Sequence, residues 1–131
     1  MLEGFRPVQL VNGRSYLSVT NNGLGFNKNI LLKMNKPHYV RFMIDDENQR
    51  LAIQAVAEKD DSSIDFYNKD MNINNGVRYH NRDLEHTIET LMKWDLSSYN
   101  YRIDGYYIEE EAAMLFDLKE ARTFSKRNRA K

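Results

Sequence analysis

The sequence predicts an α+β domain: a small, mainly antiparallel β-barrel made of two βαββ-like units in one chain, an intrachain pseudo-dimer with two helices. Three observations predict it. Short runs rich in Val, Ile, Tyr and Phe are punctuated by Asn-Gly and other glycine turns. Two stretches have apolar residues at helical spacing behind a candidate capping residue, Asn27 for the first and His80 or Asn81 for the second. The parts also occur in the same order twice, in residues 5–57 and 62–118, with a polar linker at about 58–61.

In the first unit, Phe5 to Val11 reads as extended, with Pro7 marking an edge position. Asn12-Gly13 suits a tight turn because both residues tolerate positive φ. Tyr16 to Thr20 is a strand, Asn21-Asn22-Gly23 turns, and Leu24-Gly25-Phe26 begins the next strand. Asn27 can cap a helix over about Lys28–Met34, with Ile30 and Met34 on one face, and Pro37 stops it. Tyr39 to Ile44 and Arg50 to Val56 are strands around the polar turn Asp45–Gln49.

In the second unit, Ile64 to Tyr67 is strand-like, and Asn75-Gly76 turns into Val77-Arg78-Tyr79. Either His80 or Asn81 caps a longer helix through about Lys93, on which Leu84, Ile88, Leu91 and Met92 share a face. Tyr99 to Ile108 is extended with an interruption at Asp104-Gly105, Glu109–Glu111 turns, and Ala113 to Phe116 is the last strand.

Placed side by side, Gly23-Leu24-Gly25-Phe26-Asn27 faces Gly76-Val77-Arg78-Tyr79-His80 at an offset of 53. Ile44-Asp45-Asp46-Glu47 faces Ile108-Glu109-Glu110-Glu111 at 64, and Leu51–Gln54 faces Ala113–Phe116 at 62. One βαββ unit is too small to hide its own apolar face, so each would cover the other.

A single unit, on Gly23-Leu24-Gly25-Phe26-Asn27, the helix with Ile30 and Met34, and Tyr39 to Glu47 leading to Leu51-Ala52-Ile53, resembles the AbrB/SpoVT family of swapped-hairpin transcription factors. The resemblance covers about residues 14–56 and, more faintly, 62–118. It implies two units interlocked in a small barrel, and a regulator that binds DNA through arginines near the glycine turn and short helix. Here Leu24 follows Gly23 and only Lys28 and Lys33 are basic on the first helix. Arg78 and Arg82 stand near the second turn, followed by Asp83, Glu85 and Glu89.

The 131 residues are 41% hydrophobic and 29% charged, a globular composition, and a mean hydropathy of −0.71 makes it a polar one. There is no cysteine, which excludes thiol nucleophiles and thiolate metal sites and fits a cytoplasmic setting. No apolar run is long enough for a bilayer span, and the first residues lack a signal-peptide core, so no membrane is expected as a partner. Charge balances overall, yet residues 119–131 hold six cations against Glu120 alone, so that stretch carries +5 and the rest −5. It reads as a basic, flexible tail.

The candidate chemistry is sparse. His80 and His86 lie six apart with no completing ligand set, and His38 follows Pro37 in a loop, so no metal is expected. Gly23-Leu24-Gly25 lacks the rest of a dinucleotide or P-loop fingerprint, so no cofactor is expected, and no catalytic residue is assigned. An enzyme using Asp83, His86 and Glu89 would need a deep pocket around them. Tyr99, Tyr101, Tyr106 and Tyr107 crowd beside Trp94 with only Arg102 for company, which points to core and interface packing ahead of base stacking.

The expectation is therefore a noncatalytic, small cytoplasmic binding or regulatory protein. It would act through protein contacts, with nonspecific nucleic-acid contact through the tail as a further element. The candidate phosphate neutralisers are Arg78, Arg82, Lys126, Arg127, Arg129 and Lys131. The alternative is a sequence-specific DNA-binding regulator. Either a monomer acting as a pseudo-dimer or a homodimer fits the two-unit build.

Overall fold

A computed structural model describes residues 1–5 and 13–126. The strand expected at Phe5–Val11 falls mostly outside them, as do Arg127, Arg129 and Lys131. Nine strands and two α-helices follow in the described chain: β1 (Tyr16–Thr20), β2 (Gly23–Phe26), α1 (Lys28–Lys33), β3 (Tyr39–Asp45), β4 (Arg50–Val56), β5 (Ile64–Asp65), β6 (Val77–Tyr79), α2 (Arg82–Met92), β7 (Tyr99–Ile108), β8 (Ala113–Asp117) and β9 (Arg122–Ser125).

All pairings are antiparallel, in the order β5-β3-β4-β8-β7-β1-β2-β6, with β9 added to β7. The fold is thus α+β and dominated by one antiparallel sheet, curled into a half-barrel with two helices. The expected closed barrel is corrected on this point: no ladder joins β5 to β6 among the described residues. β5 is two residues long and β6 three, too little backbone to zip the remaining gap.

Period-two alternation sets the core. Leu17 and Val19 of β1, Leu51 and Ile53 of β4, Tyr101 and Ile103 of β7, and Met114 and Phe116 of β8 point inward and are buried. Phe26 sits at the centre, 5.2 Å from Phe66 in an edge-on contact and about 6 Å from Phe42 and Phe116. Burying such a ring is worth about 2–3 kcal/mol. Ile30 and Leu31 of α1 and Ile88 of α2 close the same core.

Both helices are capped by asparagine. Asn27 Oδ1 accepts the N–H of Ile30 at 3.3 Å and that of Tyr16 at 3.1 Å, while its Nδ2 donates to Arg14 O at 2.8 Å. It ties the start of β1 to the first turn of α1. Of the two candidate caps of α2, Asn81 has the role: its Oδ1 accepts from Leu84 N–H at 2.9 Å, and Glu85 Oε2 accepts from Asn81 N–H at 3.1 Å. Lys93 ends that helix with a φ of 57°.

The strand β7 runs unbroken through Asp104-Gly105, where an interruption was expected. What changes there is its partners: Tyr99–Arg102 pairs with β9, Tyr101–Asp104 with β1, and Gly105–Ile108 with β8. A Cβ on Gly105 would fall 2.8 Å from Met114 Sδ and Phe116 Cε1, so glycine lets the strand cross the core closely.

The flexible tail expected from residue 119 is also corrected. After β8 a 3-10 turn at Leu118–Glu120 redirects the chain, and Arg122–Ser125 pairs with β7 as β9. Only residues 127–131 of that stretch lie outside the described residues.

Candidate nucleic-acid interface

The strands β6, β2, β1, β7 and β9 present one face away from the core. Register places Arg78 opposite Gly25, Gly25 opposite Ser18, Ser18 opposite Arg102, and Arg102 opposite Arg122. Residues directly opposite share a face, so these five positions form one row across the sheet. Strands lie about 4.8 Å apart, which puts Arg78 about 14 Å from Arg102 along the row.

The floor between these arginines is small. The Arg78 guanidinium lies over Gly25, with Nη2 3.5 Å from where a Cβ would stand, and Ser18 comes next. Arg102 is held on aromatic rings: its guanidinium carbon is 4.7 Å from the Tyr16 centroid and 5.2 Å from that of Phe124. Phe124 keeps 41% of its surface exposed. Two open depressions meet at Ser18 and Arg78, one of 150 Å³ beside Tyr16 and Asn75, the other of 340 Å³ beside Asn100, Arg102 and Phe124. Asn100 Oδ1 is buried there with no hydrogen-bond partner among the described residues.

The charges on this face are unevenly spent. Asp104 engages Arg122 at 3.2 Å and Arg14 at 3.6 Å. Among the described residues, Arg78 and Arg102 have no carboxylate within ion-pair distance. Two unpaired guanidiniums flanking a small-residue floor are suited to anionic oxygens, which a planar donor fork contacts two at a time.

The structure places the six expected contact residues unevenly. Arg78 is in this row. Arg82 lies on the first turn of α2, beside a cleft of 550 Å³ with Asn21, His80, Asp83, His86 and Glu89. Lys126 is occupied, its Nζ donating to Leu96 O at 2.5 Å and its N–H to Ser98 O at 3.0 Å. Arg127, Arg129 and Lys131 lie outside the described residues. Sequence reasoning missed the grouping of Arg102, Arg122, Tyr16 and Phe124. The alternation Tyr101-Arg102-Ile103-Asp104 marks Arg102 as outward, but only strand register reveals its neighbours.

The tyrosine cluster differs in exposure along β7. Tyr101 is buried and stacks on Trp94 at 3.9 Å with ring planes 5° apart. Tyr99 and Tyr106 are exposed. The Tyr106 hydroxyl donates to Glu120 Oε1 at 3.2 Å, and that bond raises its pKa above the usual phenol value.

In the acidic cleft two carboxylates already have backbone partners. Glu85 holds the N-terminus of α2, and Glu89 Oε2 accepts from Leu96 N–H at 3.0 Å. His80 Nε2 lies 3.7 Å from Glu85 Oε2. Among the described residues no three His, Cys, Asp or Glu side chains are grouped as metal ligands. Also among them, no helix is long and apolar enough to cross a membrane. On the outer face of the other half of the sheet, Met43, Ala52, Leu115 and Tyr106 form an apolar row by register.

Comparison of the chain with protein-family models, with curated proteins and with solved structures gives no match.

Proposed function

We propose that the chain is a noncatalytic, cytoplasmic binding or regulatory protein that holds nucleic acid against the β6-β2-β1-β7-β9 face. The observation that carries this reading is the row Arg78, Arg102 and Arg122 across a floor of Gly25 and Ser18, with Arg78 and Arg102 free of carboxylate partners among the described residues. Polyphosphate backbones are neutralised by such cations with release of counterions, so binding depends steeply on salt. The lack of cysteine in the sequence supports the cytoplasmic setting.

The swapped-hairpin, two-unit reading belongs with this proposal, and two observations support it. Exchanging the units (β1 with β5, β3 with β7, β4 with β8) leaves the order β5-β3-β4-β8-β7-β1 unchanged when read from the other end. Under the offsets of 64 and 62, the pair Ile44 and Leu51 of the β3–β4 hairpin maps onto Ile108 and Ala113, which are partners in the β7–β8 hairpin. This arrangement supports an AbrB-like build in which the two units act as one. The apolar row through Met43 offers a separate surface for a protein partner.

The test is a fluorescence-anisotropy titration with labelled 20-nucleotide duplex and single-stranded probes at about 50 and 200 mM salt. A variant ending at Lys126 and the double variant R78A/R102A are compared with the full chain. The Lys126 truncation keeps salt-dependent binding. R78A/R102A lowers the slope of log K against log salt by about 0.7–0.9 for each phosphate contact removed. If R78A/R102A binds both probes as the full chain does, the face is not the site. If neither probe binds the full chain, the nucleic-acid reading falls and the Met43 row becomes the first surface to probe.

A further inference from the structure

Resting on the reading above, we infer that the ligand of this face is single-stranded nucleic acid, its backbone crossing the strands between Arg78 and Arg102 and a base stacked on Phe124. The face is an open sheet. Both helices turn their buried residues, Ile30 and Leu31 of α1 and Ile88 of α2, to the opposite, core side. Reading a duplex requires an element that enters a groove. Among the described residues, what this face carries instead is a floor without side-chain bulk and a ring at its rim. Bases in a duplex are stacked on one another, so only an unpaired base can lie on that ring.

Three features of the rim point the same way. Phe124 is 41% exposed although it contacts Arg102, so ring surface remains for a planar partner. The Arg102 guanidinium lies on the rings of Tyr16 and Phe124, which fixes its position for a phosphate or a base edge. Asn100, opposite Phe124 in register, has an Oδ1 unpartnered among the described residues. A phosphate offers acceptors only, whereas an unpaired base offers N–H donors that this amide can take after a side-chain rotation.

Gly25 has a place in this picture as the bed on which Arg78 lies. Its backbone needs no positive φ, and a Cβ would meet Arg78 and Ser18 only at ordinary contact distances of 3.5–3.8 Å. A β-branched residue suits a strand better than glycine. The absent side chain lets the Arg78 guanidinium lie low over the sheet, where a close-lying backbone can meet it.

The experiment is anisotropy of a fluorescein-labelled 12-nucleotide oligothymidylate and of a labelled duplex hairpin, using the full chain and the variants F124A, F124Y, G25V and R78A/R102A. Circular dichroism melts of each variant show that it folds. The expected result is tighter binding of the oligothymidylate than of the duplex. F124A weakens the single strand about 10-fold and F124Y restores it, as stacking predicts. The salt slope stays unchanged in F124A, and G25V loses binding without a lower melting temperature. Equal or tighter duplex binding overturns the inference, and so does an F124A variant that binds oligothymidylate normally. In both cases R78A/R102A still weakens binding, and the underlying nucleic-acid reading stands. If R78A/R102A changes neither probe, that reading falls and the inference with it.

Discussion

Replacing Gly76 with alanine tests how the edge of the candidate site is built. Gly76 has φ 66° and ψ −161°, a region essentially reserved for glycine. A Cβ there would stand 2.2 Å from the carbonyl oxygen of Phe26 and 3.2 Å from Asn27 Cα. Both neighbours are backbone, so no side-chain rotation relieves the overlap. Strain alone costs about 1–3 kcal/mol, and displacing β6 from β2 raises the total to about 3 kcal/mol or more. For a chain of this size each kcal/mol is worth about 4 °C in melting temperature, so G76A melts about 12 °C lower. Circular dichroism at 222 nm reads this directly. Because, among the described residues, β6 is paired only to β2 through Leu24–Phe26, the same variant displaces Arg78 and weakens oligonucleotide binding. Gly4→Ala is the control: φ is +85° but nothing lies within 4 Å among the described residues, so its melting temperature falls by no more than about 4 °C. A G76A melt within about 3 °C of the parent would refute the claim that this backbone contact holds β6.

Three further outcomes follow from the geometry. N27A removes the α1 cap and the Tyr16 and Arg14 contacts together, so it lowers unfolding free energy by about 2 kcal/mol in a urea titration. The carboxyls of Asp45, Asp60, Asp95 and Asp117 lie below the usual range, chiefly through hydrogen bonds from Arg50, Ser62, Ser97 and Lys119 respectively. Depressed folded-state values contribute stability that is present above the unfolded value near 4 and lost as pH falls through the folded one. Melting temperature is therefore level from about pH 6 to 5 and declines below about pH 4, less steeply in D45N. D104N frees Arg122 and Arg14 from their shared carboxylate, so it tightens oligonucleotide binding a few-fold at low salt and steepens the salt slope.

Local chemistry made most elements legible in the sequence. Asn27 before Lys28 announces a helix because an asparagine oxygen can take a free N–H of the first turn, whereas His80 and Asn81 both read as starts of the second helix and the structure gives the role to Asn81. Tyr39–Asp45 and Arg50–Val56 were readable as a hairpin from β-rich runs around a polar turn. What failed was non-local. Asp104-Gly105 reads as a break, yet the strand continues because pairing with β8 takes over where pairing with β1 and β9 ends. Residues 119–126 look like tail on charge alone, but Leu118 is buried and β7 offers Arg122–Ser125 a free edge. The arginine row was invisible for the same reason. Arg78, Arg102 and Arg122 come from three strands far apart in sequence, and only cross-strand register aligns them.

On the two-unit reading, the pair at the centre of β2 and β6 carries a further consequence. Gly25 and Arg78 are counterparts at the offset of 53, and they are also direct register partners. In a homodimer of identical units, the residue at that position would face its own copy. Two arginines held about 5 Å apart repel by about 1–3 kcal/mol at effective dielectric constants between 80 and 20, and two glycines would supply no charge. Placing both units in one chain lifts that constraint. One unit can supply the guanidinium and the other the open floor beneath it, with Nη2 of Arg78 lying 3.5 Å from the vacant Cβ position of Gly25. The asymmetry then continues outward: Ser18 and Arg102 extend the row on one side, while β6 is the last strand on the other among the described residues. A fused pair of units can thus carry one polarised binding face where a symmetric dimer would carry two equal halves. On that reading, the departure from repeat identity at Gly25 and Arg78 is the feature through which the proposed repeat would serve the proposed binding.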